Sequence, residues 1–455
     1  AGWFTSSSGG TEVLTGTTYQ TVGDSTVYAH WTANSFTLKV TPGSGGTITT
    51  VTNAGNDVKT AATGSGASVA CDNVVVIRAT ANTGYHFSSW TYKNDALTVV
   101  TPSGKTETTD TTIDNTHDSS YRLAGETHFN MTPYNLNVTA NFAENLYDIT
   151  LAQTDATTPA TSTATTATYG TAMTALTSAY LPSRTGYSFT GYAYNGTTYY
   201  TSAGASAHAW DVAANTTLEP LWTVNQYNLK VTTADANGAI TTVTNGGGDI
   251  KSAATGGSGT NVNYGSAIVI TATANTGYHF DSYTYGTTTL NTIIPDTAGT
   301  YYSVGQSSFT MPAADAGLTV TASFAKNTYN VTLNNQGATT AGSANTVATY
   351  QTAMTSITVP AKTGYSFGGY YDQTGGAGTQ YYGTTGTSAH VWDKAGSATL
   401  YAKWVPNTNT TYKVEHYIMD TTGNYPQIGS PNYSFTYTDG TTGASIVLAN
   451  KKNSA

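Results

Sequence analysis

A mainly β fold, laid out as a tandem array of small β-rich modules, is what this sequence predicts, and three observations predict it. Segments such as YNLKVT at 227–232 alternate, placing Tyr227, Leu229 and Val231 on one face and Asn228, Lys230 and Thr232 on the other. The composition favours pleated surfaces: Thr, Tyr and Val are prominent, and only 9% of residues are charged against 38% hydrophobic. Disordered chains usually combine low hydrophobicity with high net charge, and that charge is missing here. The third observation is self-similarity over a chain of 455 residues, too long for one ordinary core.

One unit ends in tryptophan. Its first strand, YDITL from Tyr147, returns as YNVTL from Tyr329, 182 residues later. TGYSFTGY at 185–192 returns as TGYSFGGY at 363–370, and SAHAWD at 206–211 as SAHVWD at 388–393. The closing strand TTLEPLW ends at Trp222, ATLYAKW at Trp404 and STVYAHW at Trp31. A second unit ends in phenylalanine. TITTVTN at 47–53 returns as AITTVTN at 239–245, ATANTGYHF at 79–87 is repeated at 272–280, and closing strands reach Phe142 and Phe324.

The order is a partial W-ended unit (1–34), F-ended (35–145), W-ended (146–225), F-ended (226–327), W-ended (328–407) and a different, partial module at 411–455. Both ends fall inside modules, so the sequence reads as an excerpt of a longer polypeptide. Four residues separate Trp31 from Phe36, Phe142 from Tyr147, Trp222 from Tyr227 and Phe324 from Tyr329. Joints this short restrict independent tumbling. With modules roughly 30 Å across, stacking end to end predicts an extended semi-rigid rod on the order of 150 Å. One short helix is expected in each W-ended unit, at 168–180 and 349–357, where Met173 and Leu176 share a helical face.

The motifs also carry a resemblance. Through YNVTL, TGYSFGGY, Val391-Trp392-Asp393 and TLYAKW, the W-ended unit resembles the Listeria–Bacteroides repeat, a β-grasp type of module related to the internalin B-repeat. The F-ended unit resembles divergent relatives of that repeat, and the tail, through YKVEHY from Tyr412 and then GNY, is similar to the opening of mucin-binding-type repeats. Tyr192 and Tyr370 stand where the family usually has Trp, and the F-ended units carry insertions at roughly 91–126 and 284–306. The resemblance implies a bacterial protein that is secreted or on the cell surface, with stalk, filament, adhesion or partner-binding roles and no catalysis.

Other classes find little support. Net charge is −9 with pI near 5.2, and no basic stripe exists to neutralise phosphates, so nucleic acid is not an expected partner. No apolar run approaches the ~20 residues of a membrane span, and no G-x-S-x-G, Walker A, H-E-x-x-H or C-x-x-C motif is present. No cofactor is expected. A single cysteine, Cys71, precludes an intrachain disulfide and is expected to be a small buried residue.

The recurring residues are expected to be architectural: Gly186, Tyr187 and Phe189 with Trp210 and Trp222; Gly364, Tyr365 and Phe367 with Trp392 and Trp404; Tyr85 and Phe87; Tyr278 and Phe280. The glycine would make a turn and the tyrosine would plug the module core. His208/Asp211 and His390/Asp393 have helical metal-ligand spacing, but a packing Trp with a turn-forming Asp is the stronger expectation. His86 and His279 would be exposed spacers or part of a contact with the next module. Asp110, Asp114 and Asp118 offer oxygen ligands for calcium, without an EF-hand pattern. Alternation sets Lys39 and Lys230 away from the core, against a Lys–Asn crosslink to Asn141. The expected partners are neighbouring modules, with a homopolymer or a glycan or protein ligand left open. For the ligand, Tyr199, Tyr200, Tyr381 and Tyr382 would form exposed stacking platforms.

Overall fold

A computed structural model describes residues 2–18, 23–109, 121–286, 288–290, 292–293 and 301–447. The protein is mainly β, built as many small sheets. It divides into two compact units, Ala1–Val224 and Asn225–Ala455, each holding one F-ended and one complete W-ended module.

The F-ended module is two packed sheets. In the first unit, one sheet runs Ala67–Ala70, Ser35–Pro42, Leu136–Glu144, Tyr85–Asn94. The other runs Asn56–Asp57, Gly46–Asn53, Val74–Ala81, Ala124–Asn130, Thr106–Thr109. Alternation delivers every second residue to the interface, so Leu38, Val40, Val51, Val75, Ile77, Leu136 and Val138 are buried together. The module of the second unit repeats this order around Leu229, Val231, Ile270 and Val320, with one added edge strand, Thr288–Thr289, beside Tyr278–Tyr285. Each has one short helix, Lys59–Thr63 or Lys251–Ala254, which seats Ala62 or Ala254 in the core.

The W-ended module is a single five-stranded sheet. Its order is Ala164–Thr168, Leu146–Leu151, Thr216–Val224, Tyr187–Tyr194, Thr197–Thr201, and the second unit repeats it from Asn345–Thr349 to Gln380–Tyr382. Aromatic residues supply most of the core: Tyr147, Tyr192, Tyr200 and Trp210 are fully buried, as are Tyr370, Tyr381, Tyr382 and Trp392. The Tyr192 hydroxyl donates to the Tyr180 carbonyl at 3.0 Å. Tyr370 donates to Asn335. Each phenol therefore keeps a partner despite its burial.

The expected helices are absent. Only Ser178–Tyr180 makes a single 3₁₀ turn, and 349–357 has no helix. The backbone there is committed elsewhere: Gly170 N–H donates to Trp210 O at 2.8 Å, and Trp210 N–H to Thr171 O at 2.9 Å. Gln351, Thr352 and Trp392 repeat the exchange, and Met173 and Met354 N–H donate to Ser206 and Ser388 Oγ, both at 3.0 Å. Burying the tryptophan next to these segments outweighs the weak helix propensity of a Thr-rich stretch. Met173 and Leu176 are buried all the same.

All four complete modules share one rule. The first strand lies parallel to the last: Leu38 opposite Leu136, Ile149 opposite Thr216, Leu229 opposite Leu318, Val331 opposite Ala398. In each case the first strand begins three residues before that pair and the last strand ends eight residues after it. The chain thus advances eleven strand residues per module, about 36 Å at roughly 3.3 Å each.

At the N-terminus, Gly2–Phe4 pairs with Tyr28–His30 as a two-stranded ribbon, leaving Trp3 and Trp31 exposed. Trp222 and Trp404 are half-buried by comparison, their indole N–H groups donating to Thr154 and Asn335 carbonyls at 3.1 Å. The tail forms another ribbon, Thr410–His416 with Tyr433–Gly440.

Burial pushes the Tyr200 and Tyr370 hydroxyls up to about 12. The unfolded chain ionises its tyrosines near 10, so stability is complete below pH 10 and falls between pH 10 and 12. Each such tyrosine removes about 1.4 kcal/mol per pH unit in that window. Alkaline titration should show the last fraction of tyrosinate absorbance appearing only with loss of near-ultraviolet dichroism; complete tyrosine ionisation with the dichroism intact would contradict it.

Candidate functional site

The most elaborately built location in each unit is the joint between its two modules. It begins with the N-T-G-Y turn of the F-ended module, closed by Tyr85 N–H to Asn82 O and by Tyr278 N–H to Asn275 O, both 3.0 Å. Gly84 (φ +81°) and Gly277 (φ +85°) are left-handed, as the third residue of such a turn requires. These glycines have a second reason to be there. A Cβ on Gly84 would fall 2.3 Å from the Tyr169 ring of the next module, and one on Gly277 would fall 2.4 Å from Tyr350.

The last strand then runs into Asn145 or Asn327. Asn145 is fully buried, and each of its polar groups is engaged. Its N–H donates to Gly84 O (2.8 Å) and its carbonyl accepts from Tyr169 N–H (3.0 Å). Its Nδ2 donates to the Tyr147 hydroxyl (3.3 Å), and its Oδ1 meets His86 Nδ1 at 2.8 Å. Asn327 repeats the set with Gly277 (2.9 Å), Tyr350 (3.0 Å), Tyr329 (3.2 Å) and His279 (2.7 Å). One residue, through its backbone and its side chain together, thereby ties the preceding module's turn to two segments of the following module. An acceptor at Oδ1 requires the proton on the histidine Nδ1. Each ring also lies against a tyrosine of its own module, His86 on Tyr121 at 4.1 Å and His279 on Tyr301 at 4.5 Å.

Aromatic edges close the contact. Tyr85 meets Tyr169 at 5.8 Å and Tyr278 meets Tyr350 at 5.6 Å, both edge-on. The second unit adds polar ties: Tyr278 donates to Gln351 Oε1 at 3.1 Å, and Lys326 Nζ to Gln351 O and Thr352 Oγ1 at 3.0 and 3.1 Å. A shorter version joins the third W-ended module to the tail. Asn407 N–H donates to Gly364 O (2.9 Å), its Oδ1 accepts from Ser366 (2.7 Å), and its carbonyl accepts from Thr442 N–H (3.0 Å).

The motif residues thus divide their labour differently from the expectation. Phe87 and Phe280 plug the cores, against Phe142 and Phe324 at 6.0 and 6.1 Å. Phe189 and Phe367 pack on Trp222 and Trp404. The tyrosine after glycine is only half-buried: Tyr85 and Tyr278 face the joint, while Tyr187 and Tyr365 lie under Arg184 (4.0 Å) and Lys362 (4.7 Å). Gly186 (φ +76°) and Gly364 (φ +83°) make the turn. His86 and His279 are contact residues, not spacers. Asn34, Asn145, Asn225 and Asn327 each stand two residues before the aromatic that opens the next unit, and by sequence alone they read as linker residues without a role.

Other candidates resolve as structure. Asp211 accepts from buried Tyr199 at 2.5 Å, and that hydrogen bond chiefly holds its carboxyl below the usual range. Asp393 accepts from Tyr381 in the same way. His208 Nε2 reaches Asp211 at 3.2 Å, whereas His390 turns to the Val391 carbonyl, so the two copies share no His–Asp pair. Tyr199, Tyr200, Tyr381 and Tyr382 are buried, not exposed platforms, because their rings build the core around Trp210 and Trp392. Lys39 is exposed, and Asn141 Nδ2 donates to Ser89 and Thr91 hydroxyls. Cys71 is half-buried rather than buried, since it lies just past a strand end. Asp110, Asp114 and Asp118 lie outside the described residues. Among the described residues no three His, Cys, Asp or Glu side chains gather as metal ligands, and no helix is long and apolar enough to cross a membrane.

Residues 1–30 and 329–403 match the Listeria-Bacteroides repeat domain, and residues 227–328 match the divergent InlB B-repeat domain. The chain carries both kinds of B-repeat. The sheets between Ser35 and Val224 follow the strand orders of these matched segments, less one edge strand. No curated protein sequence matches the chain. A solved structure titled "The Bacillus anthracis TIE protein" shows a slight likeness, 10% identity and a TM-score of 0.19 over 73% of this chain and 71% of that one.

Gly84→Ala should open the first joint, through left-handed strain of about 1–2 kcal/mol plus the clash with Tyr169. Hydrogen exchange should quicken at the Tyr169 and Asn145 amides while the Val75 and Ile77 strand stays protected; unchanged exchange at the joint would refute the close-approach argument.

Proposed function

We propose that this chain is a structural segment of a bacterial surface repeat protein: a non-catalytic spacer that holds its modules in fixed register and projects other parts outward. Listeria-Bacteroides and B-repeat domains are typical of bacterial surface proteins, which supports the coarse placement. The observation that carries the finer reading is the asparagine clasp at 145 and 327. A flexible tether has no need of an asparagine, buried at 145 and half-buried at 327, that ties three segments, nor of a glycine kept bare for a neighbour's ring. Two such joints, built from identical residue types, speak for orientation as the selected property. Adhesion through paired tyrosines loses its basis, because those rings are in the cores. Within the same proposal, the likeness of the tail to a mucin-binding-type repeat assigns any ligand recognition to residues beyond Thr410.

Trypsin offers a direct test, since Lys326 immediately precedes Asn327. Asn327→Ala removes the side-chain bonds to His279 and Tyr329, about 1 kcal/mol each. Cleavage after Lys326 should accelerate several-fold, with both flanking modules surviving as folded fragments, and small-angle scattering should broaden. Equal cleavage of the parent and variant chains would sink the idea of a locked joint.

A further inference from the structure

We propose that each module resists tension along the chain through a shear clamp formed by its first and last strands. This rests on the spacer reading above and deepens it. In all four complete modules the chain enters by one strand and leaves by that strand's parallel neighbour. Entry and exit therefore lie at opposite ends of the same hydrogen-bonded pair, about eleven residues or 36 Å apart. Tension drives the two strands past each other along their axes. Parallel hydrogen bonds are evenly spaced, so they carry that load together and fail together. A hairpin pulled from its open end fails one bond at a time.

Slippage is blocked as well. Leu38, Val40, Leu136 and Val138 are all buried in the first clamp, and Leu229, Val231, Leu318 and Val320 in the second. A one-residue slip would turn these side chains to solvent and bring Lys39 and Asn137, or Lys230 and Thr319, into the core. The exit strand is also held on its other edge. Leu136–Glu144 pairs antiparallel with Tyr85–Asn94, and Thr216–Val224 with Tyr187–Tyr194. The asparagine clasp lies one residue beyond the exit strand of each F-ended module, where force passes to the next clamp.

The test is single-molecule pulling of the full chain in two geometries, both in a Cys71→Ser background. End-to-end tethering should give four module-sized unfolding events. Modules 146–225 and 328–407 should each release about 25 nm, from ~3.6 Å per unfolded residue less the folded step. In the second geometry the handles are the N-terminus and a thiol at Ala214→Cys. Ala214 lies at the same end of the clamp as Leu146, beside the Asp148 N–H to Asn215 Oδ1 bond. Module 146–225 is then peeled, while 35–145 is still sheared and serves as the internal reference. Its unfolding force should drop to about half or less, because forced unfolding follows the barrier along the pulled direction. Equal forces in the two geometries, or end-to-end extension without module-sized events, would overturn the proposal. Asn327→Ala leaves the clamps intact, so a failure of the joint reading shows in trypsin cleavage and not in these forces.

Discussion

The parallel pairing of first and last strands is the constraint from which the rest of this structure follows. It forces every module to return its chain to the middle of the sheet where it began, and to leave in the direction it entered. The remaining strands are added outside that pair, as one sheet in the W-ended modules and two in the F-ended ones. Because the exit is aligned with the entry, the next module can begin after only a few residues. Short joints are thus a geometric result of the pairing, and within each unit one asparagine, Asn145 or Asn327, bonds to both modules.

Much of this was legible in the sequence because it resides in period and repetition. Alternation in YNLKVT marks a strand that the structure contains, and the copies of each motif mark modules. The misses share a physical origin. The segments at 168–180 and 349–357 were read by local spacing, but their backbone groups are claimed by Trp210 and Trp392, some 40 residues downstream. Likewise, Tyr199 and Tyr200 look like surface residues in a polar stretch until the tryptophan beside them is seen to need a wall. Long-range pairings of this kind leave no local periodicity.

The joint was missed for a different reason. Asparagine is common in this chain, and a single recurring polar residue in a four-residue gap reads as linker composition. What distinguishes Asn145 is burial with every polar group engaged, and burial at a boundary depends on both neighbours at once. The same holds for Gly84: the turn explains a glycine there, but only the adjacent Tyr169 ring shows why nothing larger is tolerated.

The eleven-residue advance has a consequence for how such an array grows. F-ended and W-ended modules differ in size by a sheet and an insertion, yet each moves the chain by the same distance along its strands. Material added to the loops widens a module without lengthening it. The advance along the clamp within a module is therefore independent of that module's size, while girth and surface chemistry vary freely at each position. Sequence drift in the loops and duplication of whole units act on separate properties of the molecule, and neither disturbs the other.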